Sequence, residues 1–313
     1  MGRYDKETAR IVYMGTPAIS ATVLSGLLEQ GFHVVGVICN PDKPTGRKGM
    51  LTPCPVKTVA LQAGIPVFQP AKIRLDHGFL PSLEPDVIVT MAYGQIVPQE
   101  VLDCPKRGCI NLHGSILPAL RGAAPIQRAL DLGLKETGVT LMQMVAAMDA
   151  GEAYDVEKVE IAEEDNYTSL AEKIGIAARN LIVRDLIPYL NGELPGVPQD
   201  ESLVTFASKI TPGDEKLDFH MSGKVFVNRV RALSLTPGGY AYLDGLKFKI
   251  LSATPTDLPV GQPGEVVKAK KGLFVSVSDA TLRLDLVQLE GKKMVDGASF
   301  ANGYRDLLGK ILS

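Results

Sequence analysis

Short apolar segments alternate with helical patterns through the first half of the chain, and this alternation constrains the fold more than any other feature. The segments predicted as strands are residues 11–14, 32–39, 87–92, 109–112 and 139–145. Between the first two strands, residues 18–30 have a helical pattern that stops at Gly31. A strand, a helix and a strand of these lengths form a right-handed crossover between parallel strands. The sequence therefore predicts an α/β fold with a Rossmann-like, doubly wound, mostly parallel sheet.

The turn after the first predicted strand lacks the glycines of a dinucleotide site. Its sequence is Gly15-Thr16-Pro17-Ala18, whereas a dinucleotide-binding turn requires G-x-G-x-x-G. The chain also contains no phosphate-binding loop of the form G-x-x-x-x-G-K-[ST]. We therefore expect neither NAD nor a nucleoside triphosphate as cofactor.

A polar pair, Asn111 and His113, marks the end of the strand predicted at residues 109–112. Their spacing places both side chains on one face of the strand. They lie at its carboxyl end, where open parallel sheets bind ligands. An amide and an imidazole there suit acyl transfer, because fixed donors stabilise the negative charge that develops on oxygen. Histidine also moves protons near neutral pH. A hydrogen-bonded structural histidine is the alternative that these two residues leave open.

Asp149 follows the strand predicted at residues 139–145, in the turn Met148-Asp149-Ala150-Gly151. An aspartate close to a glycine is by itself ordinary turn chemistry. This carboxylate is also expected beyond the end of a strand that neighbours the Asn111 and His113 pair. We therefore expect Asp149 to orient the imidazole of His113.

The motifs around these residues resemble those of the formyltetrahydrofolate-dependent formyltransferases. They are Asn111-x-His113-Gly114-Ser115-Ile116-Leu117-Pro118, Arg121-Gly122-Ala123-Ala124-Pro125-Ile126-Gln127-Arg128, Glu136-Thr137-Gly138-Val139-Thr140 and Met148-Asp149-Ala150-Gly151. Within that superfamily the chain is most similar to the enzymes that act on methionyl-tRNA, and the similarity extends over nearly the whole chain. The resemblance implies catalytic roles for Asn111, His113 and Asp149. It also implies a folate-binding loop formed by Ser115, Ile116, Leu117 and Pro118.

The resemblance implies the substrates as well. The expected formyl donor is 10-formyltetrahydrofolate, and the expected acceptor is the α-amine of methionyl initiator tRNA. No metal is expected, because the four histidines show no ligand spacing among themselves or with the four cysteines. A formyltransferase acting on an aminated sugar nucleotide would share the catalytic set, and a formyltetrahydrofolate hydrolase would use water as acceptor. A non-enzymatic RNA-binding protein would need none of the three residues.

A long loop at residues 40–55 carries the basic residues Lys43, Arg47 and Lys48. Its prolines and glycines predict no regular structure, and a loop of this length is usually functional or disordered. Basic side chains there suit contact with phosphate. By the resemblance, Arg47 matches the key arginine of a loop that reaches the tRNA acceptor stem, with Lys43 and Lys48 as supporting tRNA-binding candidates.

The pattern changes after a helical segment that ends near residue 190. We predict a catalytic domain over residues 1–190, a linker over 191–212 and a smaller OB-like β-barrel domain over 213–313. Residues 209–313 carry 15 Lys and Arg against 11 Asp and Glu, a net charge of +4. Residues 1–208 carry 18 against 24, a net charge of −6. This asymmetry favours a polyanionic partner for the second domain, and the resemblance implies that the partner is tRNA.

Other features of the sequence are those of a cytoplasmic protein. The four cysteines show no disulfide-scaffold spacing and are expected to be reduced thiols. No stretch of about 18 apolar residues predicts a membrane span, and the first residues mix charges where a signal peptide needs an apolar core. We therefore expect a cytoplasmic protein without a membrane partner, and we expect it to be a monomer.

Overall fold

The computed structural model describes residues 2–45 and 49–313. The chain divides into two compact units. The first unit contains the chain up to Pro125 together with Glu136–Glu160 and Ala171–Ala207. The second contains Ile126–Lys135, Ile161–Leu170 and Ser208–Ser313. Residues 191–207, within the predicted linker, thus group with the first unit, and two short segments of the predicted catalytic domain group with the second.

Nine strands and five α-helices precede residue 191 in the described chain. In chain order they are β1 (Ile11–Gly15), α1 (Ala18–Glu29), β2 (Val34–Ile38), β3 (Lys43–Thr45), β4 (Met50–Thr52), α2 (Pro55–Gln62), β5 (Val67–Phe68), β6 (Val87–Met91), α3 (Gln99–Leu102), β7 (Cys109–His113), α4 (Pro125–Asp131), β8 (Glu136–Gln143), β9 (Ala153–Glu160) and α5 (Tyr167–Leu190).

Seven of these strands form one sheet in the order β5-β2-β1-β6-β7-β8-β9. The pairs from β5 to β7 are all parallel. Strands β1 and β6 are buried at every position, as expected of parallel strands covered on both faces. The predicted class, α/β with a Rossmann-like and mostly parallel sheet, is confirmed.

Strand β8 departs from the predicted pattern. We expected the parallel alternation to continue through residues 139–145, but β8 runs antiparallel to β7 and β9 runs antiparallel to β8. Antiparallel strands need no crossover helix, and the pattern of apolar residues in a buried strand carries no information on its direction. The carboxyl end of β8 therefore lies at the amino end of β7, where the N–H of Met144 donates to the carbonyl of Cys109 at 2.8 Å.

The loop at residues 40–55 also differs from the prediction. Its prolines and glycines were expected to prevent regular structure, yet β3 and β4 form a two-stranded antiparallel hairpin. Pro44 is accommodated because both strands of an isolated hairpin are edge strands, where a residue without an N–H removes no required hydrogen bond. Gly49, next to β4, has a positive φ of 59°, a conformation that glycine adopts without strain.

The second unit is built around an antiparallel sheet. Its later elements are α6 (Pro212–Glu215), α7 (Gly223–Leu233), β10 (Gly239–Leu243), β11 (Leu246–Thr256), β12 (Val266–Lys268), β13 (Leu273–Ser276), β14 (Thr281–Leu289), β15 (Val295–Asp296) and α8 (Gly297–Gly303). The sheet order is β10-β11-β14-β13-β12, and β15 pairs with β14. Phe226 of α7, Phe248 of β11 and Phe300 of α8 belong to its apolar core. A small β-domain after the α/β domain is thus confirmed.

Over residues 2–45 and 49–313, no helix is both long enough and apolar enough to cross a bilayer.

Candidate active site

Strand β7 places Asn111 and His113 on the same face of the sheet, as their spacing predicts. On the neighbouring strand β6, Thr90 lies in register with Asn111. The hydroxyl of Thr90 donates to Oδ1 of Asn111 at 2.7 Å. The other end of the amide, Nδ2, meets no acceptor in the described part of the chain. Asn111 therefore presents a free N–H donor at the carboxyl end of the parallel strands.

The imidazole of His113 is buried and is held by a main-chain carbonyl. Its Nε2 atom lies 2.9 Å from the carbonyl oxygen of Leu120. A carbonyl only accepts hydrogen bonds, so Nε2 carries a proton. In the neutral ring Nδ1 then has a lone pair and is the nitrogen that can accept a proton. Leu120 has a positive φ of 61°, and its own N–H donates to the hydroxyl of Thr205 at 2.9 Å.

The carboxylate of Asp149 lies beside His113, with Oδ2 3.6 Å from Nδ1. This separation is longer than a hydrogen bond, so the ring is held by its contact with Leu120 and lies close to the Asp149 carboxylate without a hydrogen bond to it. The same oxygen accepts the N–H of Gly122 at 2.8 Å. Gly122 has φ 123°, and a Cβ there would lie 2.6 Å from the carbonyl oxygen of Ala207. Only glycine therefore fits at this position.

Asp149 reaches His113 by a route that the sequence does not reveal. Since Met144 lies beside Cys109 at the start of β7, the segment after β8 runs back along β7 to bring Asp149 to His113 at its end. Asp149 itself has a positive φ of 53°. The side-chain amide of Gln199 donates to the carbonyls of Asp149 and Gly151, at 2.8 Å each. These two hydrogen bonds stabilise a turn in a sparsely populated backbone conformation.

The segment that carries Gln199 is itself anchored near the site. Oε1 of Gln199 accepts from Nε of Arg121 at 3.0 Å. The buried guanidinium of Arg121 also pairs with Glu201 at 2.8 Å. This chain of contacts connects the Arg121-Gly122 segment to the Asp149 turn through side chains that are far apart in sequence.

The loop from Ser115 to Pro118 is stabilised from within. The hydroxyl of Ser115 donates to the carbonyl of Ala119 at 2.6 Å. The hydroxyl of Thr140, on β8, donates to the carbonyl of Ser115 at 2.7 Å and accepts the N–H of Leu117 at 3.1 Å. Ser115 and Leu117 are buried, whereas Ile116 and Pro118 are partly exposed. Among these four side chains, those of Ile116 and Pro118 are therefore the accessible ones.

The basic residues predicted to bind tRNA are only partly within the described structure. Lys43 begins β3 and is exposed. Its neighbour Asp42 is neutralised by Lys57, with Nζ 2.6 Å from Oδ2. Arg47 and Lys48 lie outside the described residues.

Potential metal ligands do not cluster in the described structure. Within residues 2–45 and 49–313, no three His, Cys, Asp or Glu side chains lie together in an arrangement that could hold a metal ion.

Known proteins resemble this chain over nearly its whole length. Residues 9–186 match the formyl transferase family, and residues 209–305 match the formyl transferase C-terminal domain. A methionyl-tRNA formyltransferase of Bacillus subtilis (strain 168) is 42% identical over 308 residues, which are 97% of this chain and 97% of the relative. The chain belongs to the methionyl-tRNA formyltransferase family. Another member of that family, from Malacoplasma penetrans, is 40% identical over 307 residues, covering 97% of this chain and 96% of the relative.

Solved structures share the fold at lower identity. HypX from Aquifex aeolicus in complex with tetrahydrofolic acid has a TM-score of 0.68 and 16% identity. The match covers 96% of this methionyl-tRNA formyltransferase family member and 48% of HypX, so the chain spans about half the length of HypX. An N-formyltransferase from Helicobacter canadensis in complex with folinic acid and dTDP-3-aminofucose has a TM-score of 0.68, 18% identity, and coverage of 88% and 99%. These matches show the fold.

For this member of the methionyl-tRNA formyltransferase family, the sequence predicted that Asn111, His113 and Asp149 lie together. It did not predict the residues whose hydrogen bonds hold these three in place. Thr90 gave a weak signal, since it is a polar residue inside the apolar run of β6. Leu120 acts through its carbonyl and Gln199 lies in a distant segment, so neither gave any signal in the sequence.

Proposed function

We propose that this chain transfers the formyl group of 10-formyltetrahydrofolate to the α-amine of methionyl initiator tRNA, giving formylmethionyl-tRNA for translation initiation. The observation that carries the proposal is the convergence of Asn111, His113 and Asp149 at the end of β7. It occurs in a chain 42% identical, over 97% of its length, to a curated methionyl-tRNA formyltransferase.

The unpaired Nδ2 donor of Asn111 supports a role for this residue in stabilising negative charge. When the amine attacks the formyl carbon, a C–N bond forms and the carbonyl oxygen gains negative charge. Nδ2 of Asn111 is a donor that needs no titration, and Oδ1 is already engaged by Thr90. A preorganised donor of this kind contributes about 3 kcal/mol of transition-state stabilisation. We assign Asn111 to the oxyanion.

The tautomer of His113 supports a role in proton transfer. Transfer requires the attacking amine to lose a proton and the departing folate nitrogen to gain one as the C–N bond to folate breaks. Because Nε2 is protonated and bound to Leu120, Nδ1 is the atom that takes the amine proton and returns it to the leaving nitrogen. The imidazolium so formed adds positive charge beside the oxyanion.

The position of Asp149 supports an electrostatic role toward that imidazolium. Its carboxylate is mostly buried and lies 3.6 Å from Nδ1, so its negative charge attracts the positive charge that the ring carries after it takes the amine proton. Its hydrogen bond from Gly122 keeps the oxygen in place. Asp149 thereby stabilises the charge that His113 carries during transfer.

The loop from Ser115 to Pro118 is the proposed folate contact. The donor supplies an activated formyl group when it is bound. The internal hydrogen bonds of Thr140 fix the main chain of this loop, and a fixed main chain lets backbone groups position a planar ligand without ordering cost. Ile116 and Pro118 supply apolar contact.

The basic loop and the positive second unit are the proposed tRNA contacts. Lys43, Arg47 and Lys48 lie in the loop between β2 and α2, and residues 209–313 carry a net charge of +4. Phosphate contacts supply most of the sequence-independent affinity for nucleic acid. We assign Arg47, Lys43 and Lys48 to the tRNA backbone.

The experiment that tests the proposal compares acceptors. Labelled formyl is transferred from 10-formyltetrahydrofolate to methionine-charged initiator tRNA, free methionine, an aminated sugar nucleotide or water. We expect product on the charged tRNA alone. Product on the sugar would support sugar-nucleotide formylation, and release of formate alone would support a hydrolase; either result would overturn the assignment of the acceptor.

A further inference from the structure

We propose that Thr90 is a positioning residue that holds the Asn111 amide with its N–H donors toward the substrate. The inference rests on the proposed formyl transfer. Thr90 is 2% exposed and lies in register with Asn111 on the adjacent strand. Its hydroxyl is therefore fixed by the sheet itself, at the carboxyl end of both strands.

The hydrogen bonds of Thr90 select one orientation of the amide. Its single hydroxyl proton has three acceptors within reach: Oδ1 of Asn111 at 2.7 Å, the carbonyl of Ile110 at 3.3 Å and the thioether of Met144 at 3.2 Å. The first is the shortest, and sulfur is a weak acceptor. Donation to Oδ1 therefore dominates and places Nδ2 on the side away from β6.

The orientation matters because the two ends of an amide have opposite roles. Rotating the Asn111 amide by half a turn would exchange its N–H donors for a carbonyl oxygen. That oxygen would repel the negative charge developing on the substrate instead of stabilising it. In the rotated state the Thr90 hydroxyl would accept from Nδ2 and would have to donate through its longer contacts to Ile110 or Met144. Thr90 thus keeps the amide preorganised before substrate binds.

The test uses variants that separate the contribution of the hydroxyl from that of the methyl group. Thr90→Val has nearly the same shape and lacks the donor, whereas Thr90→Ser keeps the donor and loses a methyl group. Losing one hydrogen bond of this kind corresponds to about a tenfold loss of rate. We expect Thr90→Val to lower kcat for formyl transfer to methionyl-tRNA about tenfold with little change in KM for either substrate. Thr90→Ser should recover most of the lost rate.

A matched control separates positioning from packing. Thr137 is similarly buried, on β8, and pairs with Val159 of β9 rather than with β7. Thr137→Val therefore makes the same chemical change away from Asn111 and should leave kcat near the wild-type value. Thr90→Ala provides a second donor-free variant if Thr90→Val does not fold, as judged by circular dichroism and thermal unfolding.

A double-mutant cycle decides whether Thr90 acts through Asn111. If it does, Thr90→Val added to Asn111→Ala should lower kcat no further than Asn111→Ala alone, because the amide to be oriented is gone. Multiplied losses in the double variant would overturn the inference, as would a Thr90→Val kcat within twofold of wild type. A wild-type chain that formylates no tRNA would instead overturn the proposed function.

Discussion

Nε2 of His113 donates to the main-chain carbonyl of Leu120 at 2.9 Å, so a backbone atom determines which nitrogen of the histidine is available for chemistry. The carbonyl is held in turn by the hydrogen bond between the N–H of Leu120 and Thr205. Leu120 adopts a positive φ to make this arrangement, a backbone cost that active sites often contain. In the neutral ring the lone pair therefore lies on Nδ1, the nitrogen that faces Asp149.

Substituting His113 with glutamine should separate catalysis from structure. The Gln amide can donate to the Leu120 carbonyl in place of Nε2, but it cannot accept a proton near neutral pH. We expect His113→Gln to lower kcat by a factor of about 10² to 10⁴ while thermal stability stays near that of wild type. His113→Ala, which also leaves the carbonyl unpaired, should lose a further ~1–3 kcal/mol of unfolding free energy. Full activity in His113→Gln would show that the imidazole takes no part.

Replacing Asp149 with asparagine tests the electrostatic role of the carboxylate. Oδ1 of Asn can still accept the N–H of Gly122, which now binds Oδ2 of Asp149 at 2.8 Å, so the turn should persist. The variant lacks the negative charge that attracts the positive charge on His113 during transfer, and kcat should fall about 10²-fold or more. Steady-state kinetics with a saturating folate donor measures the change. A rate equal to wild type would mean that the charge 3.6 Å from Nδ1 has no catalytic effect.

Neutralising the basic loop should weaken tRNA binding without affecting the chemical step. We expect Lys43→Gln, Arg47→Gln and Lys48→Gln each to raise KM for charged tRNA, and each to reduce the slope of log affinity against log salt by about one. Lys158→Gln is the charge-matched control. Lys158 lies on β9, at one edge of the seven-stranded sheet, whereas the basic loop follows β2, which lies next to β5 at the other edge. An unchanged salt dependence in the Arg47→Gln variant would remove this loop from the tRNA interface.

Asp214 should make the stability of the second unit depend on pH. Hydrogen bonds from the hydroxyl and N–H of Thr211, with the guanidinium of Arg128, lower the pKa of Asp214 to about 2 from an ordinary 3.8. Since the folded pKa is the lower one, the stabilisation is present above about pH 4 and is lost as the pH falls toward 2. Asp214→Asn should cost about 1–2 kcal/mol at pH 7.

The measurement for Asp214 is thermal unfolding of wild type and Asp214→Asn between pH 7 and pH 2. The gap between the two proteins should close as the pH falls through that window. Asp257→Asn, at an exposed position of the same unit, controls for the loss of one negative charge. A gap that stays constant from pH 7 to pH 2 would exclude the ionised carboxylate as its source.

The sequence predicted those parts of the site that depend on spacing along one strand. Asn111 and His113 share a face because strands have a period of two residues, and this holds in any parallel or antiparallel neighbourhood. The sequence did not predict how Asp149 reaches them, because the direction of β8 depends on pairing with β7 and not on its own apolar pattern. The proximity of Asp149 to His113 was expected. The path of the segment after β8, which runs back along β7, was not.

The hydrogen bonds that support the site could not be predicted from the sequence for a different reason. Leu120 contributes a carbonyl that every residue type has, and Gln199 acts across 50 residues to hold the Asp149 turn. The hairpin of β3 and β4 was missed because edge strands tolerate the proline that argues against a central strand. In each case tertiary placement, rather than residue type, decides the role.

The most direct test of the account is the initial rate of formyl transfer from 10-formyltetrahydrofolate to methionyl initiator tRNA, measured for wild type and Asn111→Ala in parallel. We predict transfer by wild type and a kcat at least about 10²-fold lower in the variant, with the fold intact and KM for the donor changed little. Equal rates in the two proteins would contradict the assignment of the active site to the end of β7.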